Sequence, residues 1–134
     1  MTAITRFGAA PIGPGGRPMP FSRAVRAGDF VFVSGQVPLG DDAEIVPGGI
    51  VEHTHQTMKN VISSLASAGA ELKDVVKCTV WLEDARDFSS FNKVYLSYFA
   101  DHPPARSCVE SSLMISAKVE IEAIAFVGTR GEDS

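Results

Sequence analysis

The chain has 134 residues, 45% of them hydrophobic and 21% charged. That is ordinary for a soluble globular chain, long enough for one core over residues 1–134 without disulfide or metal staples. Twelve Lys and Arg stand against sixteen Asp and Glu, for a net charge of -4, the wrong sign for life on phosphate backbones, so nucleic acid is not an expected partner. No run approaches the roughly 18 consecutive apolar residues of a membrane span, and Met1 to Arg6 lack the basic-then-apolar pattern of a leader, so no membrane and a cytoplasmic location are expected.

In chain order, residues 1–20 read as an arm, because glycine and proline from Gly8 to Pro20 are too dense for a helix or a central strand. Ser22 to Arg26 and Phe30 to Ser34 flank Ala27-Gly28-Asp29, which predicts a hairpin of two antiparallel strands. Leu39 to Gly49 is a polar, glycine-rich loop. Val51, Met58, Val61, Ile62 and Leu65 recur at helical spacing and predict a helix over 51–68, with Gly69 at its C-terminal cap. Val75 to Leu82 is dense in β-branched and aromatic residues and too short for a helix, so a strand is predicted there. Asp84 and Asp87 start a second helix carrying Phe88, Phe91, Tyr95, Tyr98 and Phe99, which stops near His102-Pro103-Pro104. Ala105 to Ser111 and Lys118 to Val127 are the last two strands, and residues 128–134 read as a flexible acidic tail.

The order β-β-α-β-α-β-β is an α+β class, a mixed sheet with two helices packed on one face. The other face then stays open. It includes apolar positions within Phe30 to Val33 and Ala123 to Val127, which predicts an oligomer that covers them.

Arg106 follows Pro103-Pro104-Ala105 at the start of an apolar strand, so its guanidinium is held on an ordered element, with Cys108 and Glu110 on the same side. Glu120 and Glu122 project from one face of Lys118-Val-Glu-Ile-Glu-Ala123. Taken alone, each also reads as a solvated strand position. Cys78 and Cys108 lie in apolar runs without CxxC spacing and read as buried free thiols in a reducing compartment, so neither a metal site nor a redox pair is expected. His53 and His55, two apart on a helix, point about 200° from each other, cannot share a metal, and read as solvated. Gly13-Pro-Gly-Gly16 lacks the Lys-Ser/Thr of a phosphate loop and does not follow a strand. The aromatic spacing of the second helix reads as core packing.

Taken together, Ser34-Gly35-Gln36, Asn60, Ala68-Gly69, Val76-Lys77, Asn92 to Tyr95, Pro104-Ala-Arg-Ser-Cys-Val-Glu110 and Val119-Glu-Ile-Glu-Ala-Ile-Ala125 form one ordered series. From about Pro20 to Val127 the chain resembles the RidA (YjgF) family. The resemblance implies a chorismate-mutase-like fold and a homotrimer with active sites between neighbouring subunits. It also implies hydrolysis of short-lived 2-imino and enamine acids to 2-oxo acids and ammonia without a cofactor. By resemblance, Arg106 binds the substrate carboxylate and Glu120 orients or activates water. Ser34, Gly35, Asn92, Phe21 and the main chain at Cys108 line the pocket.

Chemistry fits these roles. A guanidinium fork matches a carboxylate bidentately, and an imine carbon needs little more than a fixed position, one water and managed protons. Two departures stand out: Phe21 occupies the place of a usual Tyr, and the 111–119 connection is about one residue short, without the Pro that commonly follows its Leu. A regulatory trimer that binds small carboxylates without turning them over is one competing expectation. RNA cleavage, an activity also attributed to the family, is another, and the charge balance argues against it.

Overall fold

A computed structural model describes residues 3–129, and the tail expected at 128–134 lies outside these residues from 130 onward. Six strands form one mixed sheet: β1 (Ile4–Ala9), β2 (Ser22–Ala27), β3 (Phe30–Gln36), β4 (Val75–Leu82), β5 (Ala105–Glu110) and β6 (Val119–Phe126), in the order β1-β2-β3-β6-β4-β5. Two helices, α1 (Ile50–Ser67) and α2 (Phe88–Phe99), cover one face. All pairs are antiparallel except β4 with β5, which α2 connects as a parallel crossover.

The predicted elements form where expected, with one addition. Ile4–Ala9 within the expected arm is a strand, paired with β2 at the sheet edge. The glycine at its end is tolerated there because Gly8 adopts φ +61° and an edge strand needs partners on one side only. β2 and β3 turn through Gly28 at φ +60°, the left-handed conformation that a tight hairpin requires.

The stripe read from the sequence of α1 is its buried side, with Met58, Val61 and Leu65 fully enclosed. The Glu52 carboxylate accepts the Gly49 N–H at 2.8 Å and closes the first turn. Gly69 at φ +80° ends the helix while the Ala70 N–H returns to the Leu65 carbonyl. α2 contributes Phe91, Tyr95 and Phe99. From the sheet, Val31, Val33, Cys78, Val80, Leu82, Val119, Ile121 and Ala123 face them. Enclosing a side chain such as Leu65 contributes roughly 1.5–3 kcal/mol.

Alternation along the strands sends the remaining residues to the opposite face. Phe30, Phe32 and Phe126 stay 40–47% exposed there, with Phe30 and Phe126 edge to face at 5.3 Å.

Candidate active site

The residues expected at the site fall into two groups on opposite faces of the sheet. Arg106 on β5 stands beside Cys78 of β4, a core residue on the helix side, so its side chain runs under α2. There its Nη1 donates to Asn92 Oδ1 at 2.8 Å. The rings of Tyr95, Phe91 and Phe88 lie 4.8, 5.6 and 5.7 Å from the guanidinium carbon. Aromatic faces attract a cation and restrict a flexible stem. The three rings were expected to be core packing alone; their spacing on one helical stripe was legible, but their meeting with Arg106 depends on the β4–β5 register. Arg106 makes no other hydrogen bond or ion pair among the described residues, so most of its fork remains open to a ligand.

Cys108 follows on the same side, beside Val80. It is partly exposed rather than buried as the sequence suggested, because β5 is an edge strand. Burial still pushes its thiol up, with Arg106 pulling weakly the other way. A protonated thiol is a poor nucleophile, which agrees with a main-chain role. Glu110 turns away to accept the Ala85 N–H at 2.7 Å.

The second group surrounds a cavity of about 790 Å³ lined by Phe21, Ser34, Gly35, Glu120 and Glu122, among others. Val119 and Ile121 are locked into the core, so Glu120 and Glu122 project from the other face, opposite Trp81 and Thr79. The two carboxylates thus share one face of β6, as the alternation of the sequence predicts.

Ladder pairing of β3 with β6 is interrupted between Val33 and Gln36. At this bulge a Cβ on Gly35 would stand where the Glu120 carboxylate lies, so a larger residue there would displace the flexible end of Glu120. The Ser34 hydroxyl donates to the Ser22 carbonyl at 2.6 Å, fixing its oxygen as an acceptor toward the cavity. Burial, and then the neighbouring Glu122, raises the Glu120 carboxyl above the usual range, the direction that suits proton transfer near neutrality. Phe21 is 42% exposed and brings a ring without a hydroxyl.

His53 corrects an expectation. It is buried, with Nε2 2.9 Å from the Val46 carbonyl and Nδ1 accepting the Lys118 N–H at 3.2 Å, which selects the tautomer protonated at Nε2. It ties α1 to the approach to β6, two residues before Glu120. Asn60, two turns further along α1, donates to the Val37 and Leu39 carbonyls at 2.8 and 2.9 Å, holding the loop that borders the cavity. His55 is exposed, with Nδ1 2.7 Å from the Tyr98 hydroxyl. No group of three metal-ligating side chains exists among the described residues.

Residues 16–127 match the family model described as endoribonuclease L-PSP. The chain is 45% identical over 125 residues to a RutC family protein of Pyrococcus abyssi, covering 92% of this chain and 94% of that one. It is 41% identical over 111 residues to the mouse protein named 2-iminobutanoate/2-iminopropanoate deaminase, covering 81% and 82% respectively. Among solved structures, Escherichia coli TdcF with bound serine superposes with a TM-score of 0.80 at 32% identity, covering 91% of this chain and 98% of that one. The chain belongs to the RidA family, also called the YjgF or L-PSP family.

Proposed function

We propose that this protein is a deaminase that hydrolyses reactive 2-imino and enamine acids, among them 2-aminoacrylate, 2-iminopropanoate and 2-iminobutanoate. The observation that carries the reading is the Arg106 fork, caged by three rings and Asn92 with its remaining donors open. A planar carboxylate is the ligand that such a fork matches best. The name of the mouse relative agrees.

In this reading Arg106 grips the carboxylate, Asn92 and the Cys108 main chain border the reacting carbon, and Glu120 holds a water. The water oxygen adds to C2 as Glu120 takes its proton. That proton passes to nitrogen, the hydroxyl proton of the tetrahedral adduct follows it, and the C–N bond breaks as C=O forms, leaving the 2-oxo acid and ammonia. All atoms come from the imine and one water, and the chain's own residues suffice without a cofactor or metal.

Arg106 and Glu120 face away from each other across the sheet of one chain, so the mechanism requires a second copy to bring its Glu120 face against Arg106. A homotrimer with a site at each interface meets this requirement and covers Phe30, Phe32 and Phe126. Among the described residues no helix is long and apolar enough to cross a membrane, and both cysteines are unpaired, which supports a reducing compartment such as the cytosol.

The net charge of -4 disfavours tight binding of a phosphate backbone, and with it RNA cleavage. The test is a coupled assay in which threonine dehydratase supplies the imine and 2-oxobutanoate is followed with and without this protein. Acceleration over spontaneous hydrolysis is expected; an unchanged rate contradicts the reading.

A further inference from the structure

Arg23 on β2 is the only cation lining the 790 Å³ cavity among the described residues. Its stem has a built seat: Cβ, Cγ and Cδ lie within 3.1 Å of where a Cβ on Gly8 would stand, so the missing side chain of Gly8 is what lets the arginine settle against β1. The residue is partly buried, yet its guanidinium makes no hydrogen bond or ion pair with any described residue. Glu120 and Glu122 share the cavity without engaging it, and no cation offsets the rise of the Glu120 carboxyl.

Beside the cavity opens a second recess of about 440 Å³, which Arg23 and Asp41 share with Lys59, Gln56, Asn60 and Ser63. The amides there are tied to each other and to the Val37 and Leu39 carbonyls, so Arg23 and Lys59 are the charged donors that a ligand would meet. An arginine held by its stem, with no partner for its guanidinium among the described residues, is placed to donate to an anion in these recesses.

We propose that Arg23 is a specificity-determining residue that receives a second carboxylate, so that 2-imino acids bearing a side-chain carboxylate are the preferred substrates. This rests on the deaminase reading above. Arg106 of a neighbouring copy would hold the carboxylate next to the imine carbon while Arg23 takes the far end. The second carboxylate is bound and not altered, and the hydrolysis is otherwise the same.

The experiment compares imines generated in situ by amino acid oxidases from aspartate and glutamate with those from alanine and 2-aminobutanoate, their loss followed by semicarbazide trapping. For the wild type, kcat/KM should favour the dicarboxylic imines. Arg23→Gln should lower the dicarboxylic-to-monocarboxylic ratio about tenfold or more, with Arg23→Lys in between, since a lysine offers charge without the fork.

Calorimetry with unreactive acids supplies a readout independent of turnover: glutarate should bind the wild type more tightly than butanoate, and Arg23→Gln should erase the difference. If no imine is hydrolysed, the deaminase reading fails while the glutarate measurement still decides the role of Arg23. A wild type without preference, a ratio unmoved in Arg23→Gln, or an effect of that variant on subunit assembly alone would each overturn the proposal.

Discussion

Arg106→Lys keeps the positive charge and the stem that threads the rings of Phe88, Phe91 and Tyr95, but replaces the planar fork by a point charge. If orientation of the substrate is the main contribution of Arg106, kcat/KM in the dehydratase-coupled assay should fall on the order of a hundredfold. Glu120→Gln should leave carboxylate binding largely intact and lower kcat, because an amide cannot take the water's proton; Glu122→Gln should be milder. The same substitution has a stability signature. Burial and Glu122 raise the folded carboxyl of Glu120 above its unfolded value, so its ionised form opposes folding above the folded pKa, and this penalty disappears as pH falls through that pKa toward the unfolded one. Glu120→Gln should therefore melt above the wild type at neutral pH, with the difference closing on acidification; a constant difference would contradict the assigned environment. Arg106 and Glu120 could be singled out along the chain because they sit in short motifs. That the Glu120 carboxylate fills the space left by the missing side chain of Gly35 was not legible, since a β-bulge is a matter of strand pairing that neither strand's sequence displays alone.

Both helices were readable at the level of elements because their apolar residues recur with the helical period and Gly69 and Asp87 stand at their ends. β1 escaped notice: its apolar residues are few, and Gly8 falls where a central strand would not accept it, though an edge strand does. His53 was misread for a different reason. Spacing shows that it cannot share a metal with His55, but its burial follows from the return of Val46 and Lys118 to α1, two contacts distant in sequence. His53→Ala should destabilise the protein by about 1–3 kcal/mol, because a partly buried carbonyl and a partly buried N–H lose their partner together. Chemical denaturation would measure this as a lower midpoint at unchanged slope; a midpoint within error of the wild type would show that the clamp is not holding the approach to β6.

At the scale of the whole molecule, the sheet divides its chemistry. One face carries Arg106, Asn92 and Cys108 under α2, and the other carries Glu120, Gly35 and Ser34 at the cavity. The open face was expected from the apolar alternation of β3 and β6, whereas the separation of the two groups requires the sheet order β6-β4-β5 and could not be read along the chain. The proposed mechanism joins the halves across an interface, so two defects placed in different copies can be separated. Arg106→Ala and Glu120→Gln homo-oligomers, each impaired, are dissociated, mixed in equal amounts and reassembled, and imine hydrolysis is measured in the dehydratase-coupled assay. In a ring of three, about one interface in four then pairs an intact Arg106 with an intact Glu120 from its neighbour, so about a quarter of wild-type activity should return. A mixture no more active than its parents, although light scattering shows mixed oligomers of about three times 14.3 kDa, would contradict a catalytic site shared between Arg106 of one copy and Glu120 of the next.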